Sequence, residues 1–169
     1  RASNLGEVLL NGTKSKLNVT SELQAFGLVV TAEPHFAVTQ PSDVVILENV
    51  VRRGTEGKIE EIDARYELLQ RGQYTVNVSP DELRPMEMDK KTPLELYEAR
   101  NALRVARWAG GQQYAGETYR KAEQLLRQAE DYRQRKANKR SIIMTAREAA
   151  QTAEDARLVA VRKQQELQQ

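Results

Sequence analysis

Apolar and polar positions follow one another along this chain in two different rhythms, and the change of rhythm divides it. Near the end, Ile142, Ala146, Ala149, Ala153, Ala156 and Ala160 recur at intervals of four, three, four, three and four residues. That is the a/d spacing of a helix seam, and alanine at five of the six positions lets a partner helix approach closely. Upstream, Leu96, Ala99, Leu103 and Ala106 make a second such face, and Tyr119, Ala122, Leu126 and Ala129 a third. Thr92-Pro93-Leu94-Glu95 predicts the start of the first helix, with Thr92 as cap, Pro93 in the first turn and Glu95 closing a capping box. Gly110-Gly111 predicts its end by the usual glycine mechanism. A second helix is expected from Gly116 to the polar turn around Lys136-Ala137-Asn138. No glycine or proline follows Gly116, so the remainder can be helical without interruption. Short connections between three helices predict an antiparallel bundle with an extended last helix. From Val159 onward that helix is expected to overhang without a partner in this chain and to lead into a coiled coil.

Residues 1–80 read as strands. Asn11-Gly12 predicts a two-residue hairpin turn between Val8-Leu9-Leu10 and an alternating Thr13 to Val19. Ala25 to Thr31 is a short apolar run rich in β-branched residues, followed by Phe36-Ala37-Val38-Thr39 between Pro34 and Pro41. Val44-Val45-Ile46-Leu47 is a continuous apolar run, the pattern of a strand covered on both faces. Residues 59–69 fit a helical face through Ile59, Ile62, Tyr66 and Leu69. They also alternate as a strand, and the following Gln70-Arg71-Gly72-Gln73 turn into Tyr74, Val76 and Val78 favours the strand. Six or seven short strands predict a small antiparallel β-sandwich, one without the Cys and Trp marks of an immunoglobulin domain. The expected organisation is therefore α+β: a sandwich over 1–80, a linker over 81–91 and an alanine-rich bundle over 92–169.

Charge supports the division. Residues 1–91 carry 11 Lys/Arg against 14 Asp/Glu, and residues 92–169 carry 15 against 10, within a net of +2 for the chain. This falls short of the dense basic footprint of a nucleic-acid binder. The absence of cysteine excludes disulfides, thiolate zinc sites and a cysteine nucleophile. No stretch reaches the roughly 18 apolar residues of a membrane span. Arg1 in place of a methionine, and a helical pattern running to Gln169, suggest a fragment of a longer protein.

Candidate chemistry is sparse. His35, the single histidine, lacks the sequence partners for a triad or a zinc shell and is expected in a turn or at an edge. Glu60, Glu61, Asp63 and Glu67 could form an acid/base pair or a calcium site, but their spacing fits the solvated face of a strand better. Arg133, Arg135, Lys136, Lys139 and Arg140 form the densest basic patch, a possible contact for an anionic partner with Tyr132 its sole aromatic neighbour. Trp108, Tyr114 and Tyr119 cluster near the first helix turn, where aromatics make a partner pocket or plug the end of a bundle. Three Asn-X-Ser/Thr triplets, at Asn11, Asn18 and Asn77, are short enough to occur by chance. No phosphate-binding glycine loop, dinucleotide fingerprint or nucleophile elbow is present, and no cofactor or metal is expected.

Three segments carry a resemblance. Phe26-Gly27-Leu28-Val29-Val30-Thr31-Ala32-Glu33-Pro34, Pro41-Ser42-Asp43-Val44-Val45, and Thr145 to Arg157 with its Ala-Arg-Glu-Ala-Ala-Gln-Thr-Ala-Glu-Asp-Ala core resemble the N-terminal region of uncharacterised bacterial cell-envelope proteins of the acidobacterial type. The resemblance implies a β module before an alanine-rich helical module, a coiled coil and an OmpA-like peptidoglycan-binding domain, the last of which lies outside this sequence. It implies no catalytic residue. The expected function is a non-enzymatic structural or interaction module of the periplasm or cell envelope, working through a protein partner or self-association of helices. The alternative is a regulatory binding module whose basic helix turn engages an acidic partner or nucleic acid.

Overall fold

A computed structural model describes residues 3–9, 13–20, 27–42, 44–49, 53–54 and 86–169. The chain forms two compact units: Arg1–Glu33 with Thr39–Leu69, and Pro34–Val38 with Gln70–Gln169. The five residues Pro34–Val38 thus leave the first unit and belong to the second.

In the first unit, β1 (Val29–Thr31) pairs antiparallel with β2 (Val45–Glu48), Val29 opposite Glu48 and Thr31 opposite Val45, with a bulge between Val30 and Thr31. Side chains close the loop between them. The Glu33 carboxylate accepts hydrogen bonds from the Thr31 hydroxyl (2.6 Å) and the Ser42 amide (2.7 Å), and the Ser42 hydroxyl donates to the Ala32 carbonyl (3.0 Å).

The expected β-sandwich is not what forms. Among the described residues the sheet has two strands, and the fold is mostly helical. A sandwich buries alternate residues between two facing sheets; here Val29, Ile46 and Leu47 are exposed, Leu47 at 65%. The Val44–Leu47 run is a strand without being covered on both faces. Phe36–Thr39 is not a strand, because Ala37 and Val38 bury their side chains in the helical unit. Leu17 and Val19 are exposed outside any strand. The Asn11-Gly12 turn, the 59–69 and 74–78 strands and residues 81–85 of the linker lie outside the described residues, as do Glu60, Glu61, Asp63 and Glu67.

The second unit is built from α1 (Leu94–Trp108), a single turn α2 (Gly111–Tyr114), α3 (Gly116–Gln134) and α4 (Lys139–Gln168). Glu95 near the start of α1 pairs with Arg147, and the Ala109 carbonyl just past its end accepts from Gln164 Nε2 (3.1 Å), so α1 and α4 run parallel. Arg100 of α1 reaches Glu130 near the end of α3 (2.9 Å), placing α3 antiparallel to both. Leu96, Ala99, Ala106, Ala122, Ala129 and all six members of the α4 seam are buried where the faces meet.

Three local outcomes refine the expected ends. Gly110 takes the left-handed conformation (φ 79°) and its amide bonds the Arg107 carbonyl, terminating α1. Thr92 does not cap α1: its hydroxyl donates to Asp89 Oδ2 (2.5 Å), while Asp89 Oδ1 accepts from the Lys91 and Thr92 amides. Asp89 thereby closes the turn that precedes α1 with charge-assisted bonds, and the helix itself begins at Pro93 without a side-chain cap. The expected overhang of α4 is also corrected. Ala160 is fully buried, and α2 packs against α4 where Gly110-Gly111 folds the chain back. Gly111 lets the chain fold back closely over the end of α1, since a Cβ there would sit 2.7 Å from the Ala106 carbonyl oxygen.

Candidate functional site

A set of specific contacts in the helical unit holds Pro34–Val38 between α1 and α4. Asn101 of α1 donates from Nδ2 to the Pro34 carbonyl (2.6 Å). One turn into the α4 seam, the Arg147 guanidinium stands over the Phe36 ring, 5.1 Å from its centroid. Seven residues on, and so on the same helix face, Glu154 lies 3.6 Å through Oε2 from His35 Nε2. Ala37 joins the buried cluster of Leu96, Ala99 and Ala150, with Phe36 packed against it.

His35 lies in a bend, as its setting between Pro34 and Phe36 suggests, but it is buried at 3% exposure rather than standing at an edge. Glu154 is fully buried. A buried carboxylate costs several kcal/mol of desolvation unless paired, and Arg157, one turn along α4, supplies a fork: Nε to Oε2 at 2.8 Å and Nη2 to Oε1 at 2.7 Å. That bidentate geometry fixes both carboxylate oxygens beside the imidazole. Neither Glu154 nor Arg157 stood out in the sequence. The available signal was a lone acid inside an alanine-rich face with an arginine three residues later, a spacing that places both on one side of a helix.

The basic residues gather at the turn between α3 and α4, partly neutralised. Arg133 pairs with Asp89 (3.0 Å) and Arg135 with Asp131 (3.7 Å). Lys136 takes a left-handed conformation (φ 55°) and closes α3, its amide bonding Arg133 and the next amide bonding Tyr132. Lys139 and Arg140 are exposed in the first turn of α4, which Asn138 caps by accepting from the Ser141 amide (2.8 Å). The Thr92 hydroxyl and Lys91 amide, with Arg133, hold the Asp89 carboxyl below its ordinary value.

The aromatics divide. Tyr119 is buried beside Gly111, and burial, with Glu123 nearby, raises its hydroxyl pKa against the opposing Arg107. Tyr114 packs over Gly110, and Trp108 carries the Arg104 guanidinium 4.9 Å from its ring. Tyr114 and Tyr119 therefore flank the turn that covers the end of α4. A groove of about 480 Å³ along α3 and α4 is lined by residues of both charges, among them Glu117, Arg120, Lys121 and Asp155. Among the described residues no three His, Asp or Glu side chains gather as a metal shell.

Compared with protein-family models, with curated proteins and with solved structures, the chain finds no match.

Proposed function

We propose that this chain is a non-enzymatic interaction and spacer module of a bacterial cell-envelope protein. The observation that carries the proposal is α4: 30 residues in one uninterrupted helix, about 45 Å long, whose buried small-residue seam packs α1, α2 and α3 onto one rod. A helix so braced transmits position along its length, and it presents a docked peptide segment on one side. The resemblance of Phe26–Pro34, Pro41–Val45 and Thr145–Arg157 to envelope proteins is what suggests the setting. The described helices include none long and apolar enough to cross a membrane, so attachment in this reading runs through a partner or another part of the protein.

Fractionation of cells producing the full-length natural protein tests the setting: recovery with the envelope is expected, and recovery in the cytosol would overturn it. The basic turn is tested separately by fluorescence anisotropy with duplex DNA at 0.15 M salt. Weak binding unchanged when Lys136, Lys139 and Arg140 become glutamine is expected, because Arg133 and Arg135 already face carboxylates. Tight, salt-sensitive binding lost in that variant would promote a nucleic-acid role.

A further inference from the structure

We propose that the end of the helical unit where α3 turns into α4 docks on a surface of anionic phospholipid headgroups, with Lys90, Lys91, Lys136, Lys139 and Arg140 as its cations and Met88 and Met144 as its apolar contacts. The proposal rests on the interaction-module reading and names what the module meets.

Folding gathers these residues from two distant parts of the chain. Asp89 pairs with Arg133 (3.0 Å) and its amide donates to the Tyr97 hydroxyl (2.7 Å), which sets Lys90 and Lys91 beside the basic turn. Arg147 pairs with Glu95 (3.5 Å), so the starts of α1 and α4 lie at the same end. The carboxylates there are already engaged: Asp89 by Arg133, Glu95 by Arg147, Glu130 by Arg100 and Asp131 by Arg135. All five cations are exposed, and among the described residues none of them has an ion-pair partner.

Fold stability does not account for where three of them stand. Lys139 and Arg140 occupy the first turn of α4, which holds no acid, although the positive end of a helix disfavours cations. Lys136 takes a left-handed conformation (φ 55°) that glycine or asparagine adopts at lower cost. No contact of their charged groups within the described residues offsets either cost.

The exposed apolar side chains select the partner. Met88 and Met144 are 63% and 60% exposed, and Leu94 at the start of α1 is exposed as well. Met144 stands one turn beyond Arg140 on the same side of α4. Peripheral binding to an anionic bilayer combines attraction of Lys and Arg to the headgroups with burial of apolar groups at the acyl boundary, and unbranched methionine adapts to such a boundary. Single-stranded nucleic acid would call for exposed aromatic faces. The ring at this turn, Tyr132, is instead half-buried, its hydroxyl accepting from Gln128 (2.9 Å). Each cation close to an anionic bilayer strengthens binding about fivefold, so five together supply on the order of a thousandfold.

Flotation of the full chain with vesicles tests the proposal at about 0.15 M salt. Wild type should bind vesicles of equal parts phosphatidylglycerol and phosphatidylcholine, release as salt rises, and leave pure phosphatidylcholine vesicles unbound. Changing all five cations to glutamine should weaken binding at least a hundredfold, and Lys90→Gln with Lys91→Gln alone at least tenfold. Met88→Ser with Met144→Ser should weaken it about tenfold and keep its salt dependence. Helical circular dichroism should match wild type in each variant, since none of these side chains is buried. No binding of wild type to the anionic vesicles overturns the proposal, as does binding that the glutamine changes leave intact. Equal or tighter capture of polyglutamate or duplex DNA, or indifference to the two serines, overturns lipid as the occupant. Cell fractionation is a separate measurement: vesicle binding with recovery in the cytosol refutes the envelope setting and keeps the surface, and envelope recovery without vesicle binding does the reverse.

Discussion

Two apolar runs of this chain meet opposite fates. In α4, Ala146, Ala149, Ala153, Ala156 and Ala160 carry one methyl group each and are buried; in β2, Ile46 and Leu47 carry far larger side chains and are exposed. Side-chain hydrophobicity therefore does not rank these positions. The helical residues share one face at intervals that bring them together against two other helices, whereas consecutive strand residues point to opposite sides of a two-stranded ribbon. Small side chains at the right spacing give close backbone approach over a long seam, and the packing is regained in many short contacts. Large ones without a facing layer gain little.

The contrast is broken most directly in the helical core. Leu96 is fully buried at the meeting of the helices, and Leu96→Ala should cost about 2–5 kcal/mol in urea denaturation followed by helical circular dichroism. A cost below 1 kcal/mol would show that the bundle is loosely packed.

Overpacking tests the seam itself. Ala153→Leu and Ala160→Leu should each destabilise by about 1–3 kcal/mol, although leucine suits a helix nearly as well as alanine. Equal effects at the two positions are expected because α2 and the Ala109–Gln164 contact cover the later one. A neutral Ala160→Leu, or one that drives self-association, would restore an unpartnered overhang.

The sheet should answer in the opposite sense. Ile46→Ser with Leu47→Ser should change the helical melting transition by less than about 0.5 kcal/mol, since neither side chain is buried. A large loss would show that these residues support the helical unit.

The smallest effect concerns Asp89. Its carboxyl is held below the ordinary 3.8 by Thr92, Lys91 and Arg133, so the charged form stabilises the folded chain at higher pH. That stability is present above the unfolded value and is lost as pH falls through the folded one. Asp89→Asn should lower stability slightly at neutral pH and flatten the acid limb below 3.8 by the same small amount, so that the two proteins converge in acid. An unchanged acid limb would show that these bonds do not form in solution.

Much of the helical unit was legible in the sequence because its signals are local. The seam spacing, the glycine that stops α1 and the Asn138 turn each act within a few residues of their effect. What escaped depends on residues far apart in the chain. Nothing near His35 announces Glu154, and nothing near Val159 announces that Gly110-Gly111 will fold α2 over it. Thr92 misled for a subtler reason: it has the right chemistry for a cap, but its hydroxyl is taken up as a donor to the Asp89 carboxylate. The strand reading took every short apolar run as a sheet member. Phe36-Ala37-Val38 satisfies that pattern equally well, yet Phe36 and Ala37 spend their side chains on the helical core.

The position of the docked segment also sets an order of events during synthesis. Translation proceeds at about 5–20 residues per second, so Arg157 follows His35 out of the ribosome by on the order of ten seconds. Through that interval the segment has no groove to enter, whereas α3 and α4, joined only by the turn at residues 135–138, close on each other at small loop-entropy cost once α4 is made. A receptor completed last and a segment emerging first mean that Pro34–Val38 takes its place only after the helices that hold it have been made.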